Sequence, residues 1–300
     1  MSSRYQVIQY GCYFCDLIFT GLPRMPALGE EIYGSGFEIR PGANFNPALA
    51  FKRLGVRAGW VCDFGTDLFS RFVLERCQVE GIDGGLFEHL PFPLQRVTVA
   101  MSFPHDRAFI SFMDPDHLPT LRPILLRERP DWLYLPNLFA EEIHQDIFCA
   151  AREAGTKIYM DCQFNDATLA QPAVQAAIAA VDIFAPNQLE AQRLTGTASA
   201  EEALAALACV APLAIVKCGA RGALAQSGDT VIHSPALAVD RVVDTTGAGD
   251  CFNAGFLYGL LRGEPLETCL RLGNICGGLS VTAPGGAAIP TTEEVENYLR

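Results

Sequence analysis

Asp244-Thr245-Thr246-Gly247-Ala248-Gly249-Asp250-Cys251-Phe252-Asn253-Ala254-Gly255-Phe256 joins a phosphate-sized glycine turn, a carboxylate and the start of an apolar helix. Phe252, Gly255, Phe256, Gly259 and Leu260 recur at helical spacing, and Asp240-Arg241-Val242-Val243 ahead of the run reads as the end of a short strand. The spacing predicts a helix whose first turn is Gly247 to Asp250. The first amides of a helix lack intrahelical acceptors and carry the positive end of its dipole, so a phosphoryl group can be held there. Glycine omits the Cβ that would block it. Asp250, three residues into the turn, would lie beside the anion and could accept the proton of an attacking hydroxyl. The same residues also suit a plain tight turn capped by an aspartate.

Two other phosphate motifs do not apply. No Gly-x-x-x-x-Gly-Lys-Ser/Thr string occurs, and the dinucleotide fingerprint would need a third glycine where this chain has Phe252.

The chain has 300 residues, half of them hydrophobic, enough for one large α/β domain. Thirty-four acidic against twenty-two basic residues give a net charge of -12, which speaks against a nucleic-acid or anionic-membrane partner. An anionic nucleotide must then be held by local features such as helix ends and a metal. Eleven cysteines without a framework of spacings read as reduced thiols of a cytoplasmic protein, and the lone Cys12-x-x-Cys15 as packing. No signal peptide is evident and no apolar run of about 18 residues offers a membrane span. His89, His105, His117, His144 and His233 show no metal-ligand spacing.

Val7 to Tyr10 is a candidate core strand, and Glu31 to Arg40 alternates loosely, with Tyr33, Ser35, Phe37 and Ile39 on one face. Strict alternation from Arg96 to Phe103, a turn at Pro104-His105-Asp106-Arg107 and a strand from Ala108 to Met113 form a hairpin. Asn46 to Leu54 is a helix ended by Gly55. Beyond residue 130 the short apolar strands Trp132–Leu135, Lys157–Met160, Ile183–Ala185 and Leu213–Val216 alternate with helices such as Ala140–Ala151 and Ala200–Ala208. That rhythm predicts an α/β fold with a largely parallel central sheet covered by helices on both faces, and ligands beyond the carboxyl ends of its strands.

The Asp244 to Asp250 string resembles the C-terminal signature of the ribokinase-like (PfkB) carbohydrate kinases, Asp-Thr-x-Gly-Ala-Gly-Asp followed by an apolar helix. Their N-terminal signature, Gly-Gly-x-x-x-Asn-x-Ala followed by Leu-Gly, is matched by Pro41 to Ala48 and by Leu54-Gly55, with Pro41 replacing the first glycine and stiffening the turn. Gly65-Thr66-Asp67 is a third matching segment, with Phe69 where a glycine is frequent. The resemblance covers nearly the whole chain. It implies one ribokinase-like α/β kinase domain over residues 1–300, with a small β-sheet lid drawn from about 12–40 and 95–113.

Carried over residue by residue, the resemblance makes Asp250 the catalytic base and the amides of Gly247, Ala248 and Gly249 the anion hole. Asp16, Gly42 and Asn46 would grip a polyol, and Asn137 lies where many sugar kinases carry a substrate-binding acid. The nucleotide side would hold Asn187, Lys217, Gly219, Gly222, Thr245 and Asn274, with Val281-Thr282-Ala283-Pro284-Gly285 as adenine wall. Glu190, in Asn187-x-x-Glu190, would meet Mg²⁺ through water. Lys217 stands where a threonine is usual and either contacts a phosphate or snorkels out of the site. Asp161 begins a segment in which Gln163 and Asn165 replace the family's Asn and Arg.

The implied activity is ATP-dependent phosphorylation of a sugar or related polyol, with ATP and Mg²⁺ bound. A monovalent cation beside Asp244, as in some relatives, is an open question. So is a homodimer made through the lid's free edges. The rivals are a nucleoside kinase of the same fold, for which Phe14, Phe45 and Phe103 would supply aromatic lining, and a catalytically silent sugar or nucleotide sensor.

Overall fold

A computed structural model describes residues 4–104, 107–115, 117–163, 166–283 and 288–299. The strands are β1 Val7–Tyr10, β2 Tyr13–Thr20, β3 Gly36–Ala43, β4 Ala58–Phe64, β5 Phe87–His89, β6 Arg96–Ser102, β7 Arg107–Met113, β8 Trp132–Leu135, β9 Lys157–Met160, β10 Ile183–Phe184, β11 Leu213–Lys217, β12 Ala223–Ser227 and β13 Thr230–Ser234. Nine form one sheet in the order β13-β12-β11-β10-β9-β8-β1-β4-β5. Its pairs are parallel from β5 to β11, and β12 and β13 continue it antiparallel.

Successive residues of a strand point to opposite faces, so a strand covered on both sides must be apolar throughout. On β8, Trp132 and Tyr134 join one core while Leu133 and Leu135 join the other. The first face is packed by helices α1 Phe45–Arg53, α2 Leu68–Glu80, α8 Ala248–Leu261, α9 Leu266–Ser280 and α10 Thr292–Leu299. The second is packed by α3 Leu121–Glu128, α4 Gln145–Ala154, α5 Pro172–Ala179, α6 Gln188–Thr195 and α7 Ala200–Ala208.

The remaining strands form a separate sheet ordered β3-β2-β6-β7, in which β2 and β6 run parallel and the outer pairs antiparallel. Strand β3 starts at Gly36, so Tyr33 and Ser35 lie outside it. It runs through Pro41 and Gly42, where the sequence suggested a turn; Pro41 is tolerated because β3 is an edge strand, where a missing N–H need not break a ladder. Ala43, at a left-handed φ of 49°, then swings the chain into α1. The hairpin residues His105 and Asp106 lie outside the described residues. The two sheets are pinned by a fully buried ion pair: Arg96 of β6 donates to both carboxylate oxygens of Asp63 on β4, at 2.7 and 2.8 Å, and the His117 amide donates to Asp63 Oδ2.

The segment 240–243, which the sequence suggested as a strand end, is not a strand. Among the described residues, the amides of Val243 and of Asp244 just beyond the segment both donate to the Val281 carbonyl. Gly65-Thr66-Asp67 serves the fold: Asp67 caps α2, accepting from the amides of Phe69 and Ser70. Among the described residues the eleven cysteines form no disulfide. Among the described residues no helix is long and apolar enough to cross a membrane.

Candidate active site

Gly247 is the N-cap of α8, at a left-handed φ of 75° that favours glycine. A Cβ there would meet Asn46 Nδ2 at 2.9 Å, so turn and α1 are in close contact. Ala248 opens the helix, and Asp250 lies in its first turn. Asp250 is hydrogen-bonded by Asn46 and lies 3.5 Å from the Tyr134 hydroxyl at the carboxyl end of β8. Burial, then the negative charge of Asp161, pushes its carboxyl up to about 7, against the pull of Lys217 and the two hydrogen bonds. Such a group is poised to take and return a proton near neutrality.

The residues expected to grip a polyol gather on the same side. Asp16 on β2 and Gly42 on β3 are so close that a Cβ at Gly42 would collide with the Asp16 carboxylate. Burial, then the charge of Asp244, pushes Asp16 up to about 6, so these two acids share one neighbourhood. Asn46 joins them through Gly247 and Asp250. Asn137 follows β8, and its buried Oδ1 has no hydrogen-bond partner among the described residues, which leaves an acceptor for a ligand hydroxyl. Phe14 shares the face of β2 with Asp16, whereas Phe45 is buried in the main core.

From the small sheet, Arg107 reaches back to the opening run. Its guanidinium donates to Asp244 Oδ1 at 2.7 Å, to Thr246 Oγ1 at 2.5 Å and to Thr245 Oγ1 at 2.6 Å. Thr245, expected on the nucleotide side, is thus bound by this arginine. Asp244 Oδ1 also accepts from the Thr246 amide.

On the other side, Asn187 caps α6 in a capping box: its side chain accepts from the Glu190 amide, and Glu190 Oε2 accepts from the Asn187 amide at 2.8 Å. Burial, then Asp161, pushes Glu190 up to about 7. Lys217 neither snorkels outward nor stands alone. Its Nζ lies 2.6 Å from Asp161 Oδ2, beneath the turn, and a Cβ at Gly249 would be 3.5 Å from it. Gly219 opens a single helical turn after β11, and Gly222 closes it against the carbonyl of Ser234. Asn274 on α9 donates to the carbonyl and hydroxyl of Ser234, bracing this wall. Pro284, Gly285 and Asn165 lie outside the described residues.

Sequence reasoning missed part of the site. Asn253 stands one helical turn beyond Asp250 with every polar atom engaged: Tyr159 and Lys217 donate to its Oδ1, and its Nδ2 donates to Tyr134 and Asp161. The signal was a polar residue in an otherwise apolar helix face. Tyr134 and Tyr159 read as core aromatics, and their hydroxyls acquire meaning only once β8 and β9 are adjacent. A cavity of about 420 Å³ lined by Arg4, Gln9, Lys52 and Arg57 opens at the amino ends of β1 and β4, far from these groups. Among the described residues no cluster of His, Cys, Asp and Glu is fit to hold a metal by itself.

A doubly covered sheet with a glycine turn at its carboxyl edge and a small second sheet beside it is the ribokinase fold; ribokinase from Arabidopsis thaliana, complexed with ribose and ATP, superposes with a TM-score of 0.85 at 22% identity, covering 100% of this chain and 99% of that one. Residues 24–293 match the pfkB family carbohydrate kinases, and the chain belongs to that family. It is 29% identical to ribokinase of Bacillus subtilis over 293 residues, 95% of this chain and 96% of the relative. It is 42% identical to the ATP-dependent 6-phosphofructokinase of Thermoanaerobacterium thermosaccharolyticum over 298 residues, 90% and 86% of the two chains.

Proposed function

We propose that the chain transfers the γ-phosphoryl group of ATP to a hydroxyl of a sugar or related polyol. The observation that carries this reading is Asp250 in the first turn of α8, its carboxyl raised to about 7 directly beside the Gly247 turn. Asp16, Asn46 and Asn137 hold the acceptor's hydroxyls, and Gly42 admits it close to the backbone. Asp250 takes the proton of the attacking oxygen while the amides of Gly247, Ala248 and Gly249 stabilise the charge on the phosphoryl oxygens. The nucleotide lies along the ends of the later strands, past Thr245, Lys217, Gly219 and Gly222, toward Asn274.

A magnesium ion needs few protein ligands when the nucleotide brings its own oxygens, and Glu190, with Oε2 tied to Asn187, fits a role through water. When bound, such an ion would supply positive charge to offset that of the nucleotide's phosphates. The small sheet serves as a lid that keeps water from the acceptor site. Its exposed Phe19, Phe37, Ile39, Ile110 and Phe112 suit a second copy, and sedimentation at micromolar concentration should give a dimer that Phe112→Asp dissociates.

ADP release from MgATP across pentoses, hexoses, keto-acid sugars, sugar phosphates and nucleosides tests the reading. Stimulation by one sugar, reduced on the order of 10²–10⁴-fold in Asp250→Ala, is the expected result. Stimulation by nucleosides alone would replace it with a nucleoside kinase, and stimulation by none would leave a sensor. Near-normal turnover in Asp250→Ala would remove the mechanism.

A further inference from the structure

Between β8, β9, β11 and α8 lies a connected set of buried polar side chains larger than phosphoryl transfer by a base and an anion hole requires. Lys217 Nζ is 2.6 Å from Asp161 Oδ2 and 3.3 Å from Asn253 Oδ1. Asp161 is locked in place, its Oδ1 accepting from the Cys162 amide at 2.7 Å and its Oδ2 from Asn253. Asn253 Nδ2 donates to the Tyr134 hydroxyl at 3.1 Å, and that hydroxyl points its proton at Asp250 Oδ1. Tyr159 donates to Asn253 Oδ1 at 2.7 Å, fixing the orientation of the amide. Both tyrosines are held protonated by burial.

We infer that the Lys217–Asp161 ion pair, acting through Asn253 and Tyr134, is a positioning unit that orients Asp250 and, by the mutual cancellation of its two charges, keeps either from shifting the pH at which Asp250 works as a base. This rests on the reading of Asp250 as the base. A buried ion pair is costly to desolvate and adds little net stability, so its retention here asks for another reason. Its charges act on Asp250 in opposite senses: Asp161 disfavours the carboxylate and Lys217 favours it. Burial is the first cause of the raised carboxyl, and because the two charges of the pair nearly cancel, neither displaces it further. The groups facing Asp250 from the surrounding elements are Asn46 on α1, Tyr134 on β8, Asp161 after β9 and Lys217 on β11. Glu190 on α6 feels the charges of the same pair, while Asp16 feels that of Asp244, which is bound by Arg107.

The test is the acidic limb of kcat/KM for the acceptor, measured at saturating MgATP. Asp161→Asn leaves Lys217 uncompensated and should move the limb to lower pH by about one unit; Lys217→Met should move it to higher pH by about one unit. Carboxyl-carbon NMR titration of Asp250 without nucleotide should give the same two directions. If a single variant does not fold, the apolar double variant Asp161→Leu/Lys217→Met removes both charges, and its limb should return to within about half a unit of the wild type. Shifts in the same direction, or a fall in kcat with the limb unmoved, would overturn the inference. Asp250→Asn separates the two levels: full activity in it would sink the assignment of the base, whereas inactivity together with unmoved limbs would sink only the ion pair's role.

Discussion

At Gly42 a hydrogen atom stands where any other residue would put a carbon into the Asp16 carboxylate. Gly42→Ala should therefore displace Asp16 and raise KM for the acceptor on the order of ten- to a hundredfold, the equivalent of about 1–3 kcal/mol of overpacking, while kcat with saturating acceptor changes little. Steady-state kinetics with the acceptor found by the ADP-release panel checks this, and an unchanged KM would remove Asp16 from acceptor binding. Asp250 carries its own expectation. A base must be ionised, and with its carboxyl raised to about 7, kcat/KM should fall as pH drops through neutrality rather than through the usual range near pH 4.

Elements defined by local pattern were legible in the sequence; those defined by a partner were not. Trp132–Leu135 and Lys157–Met160 are strands as their apolar runs predict, because a doubly covered strand needs nothing else. Residues 240–243 resemble a strand but, among the described residues, find no partner strand, and β3 begins at Gly36 because pairing with β2 sets its ends. The site divides in the same way. Asp250 and the Gly247 turn could be read from one stretch, whereas Asn253 depends on Tyr134, Tyr159, Asp161 and Lys217, drawn from β8, β9 and its end, and β11. The pin between the sheets was equally hidden, since Arg96 reads as the polar face of a hairpin until Asp63 is found beside it. Breaking a fully buried pair by removing one partner should cost about 3–5 kcal/mol, so Arg96→Met should show a correspondingly lower midpoint in urea. Arg96→Met/Asp63→Leu should recover much of that loss, and a single variant as stable as the parent would show the pin to be idle.

Over the whole molecule, a chain of net charge -12 concentrates carboxylates at one cleft, and three of them, Asp16, Glu190 and Asp250, are raised to about 6, 7 and 7. A carboxyl whose folded value lies above its unfolded one binds protons more tightly when folded. Its contribution to stability is therefore complete below about pH 4 and lost as pH rises through 6 to 7. The ligand-free protein should melt at a higher temperature at pH 6 than at pH 8, and Asp250→Asn, which never ionises, should melt above the wild type at pH 8 by calorimetry. A lower melting point for Asp250→Asn at pH 8 would contradict the raised carboxyl. The site is thus held at some expense of stability. Arg107 extends the site across the molecule, because it belongs to the small sheet yet bonds Asp244, Thr245 and Thr246, the residues that lead into the anion turn. A ligand that moves either end of that bridge works on the other, and free energy exchanged between two binding events is symmetrical. Whatever factor the acceptor imposes on nucleotide affinity, the nucleotide must impose in return on the acceptor.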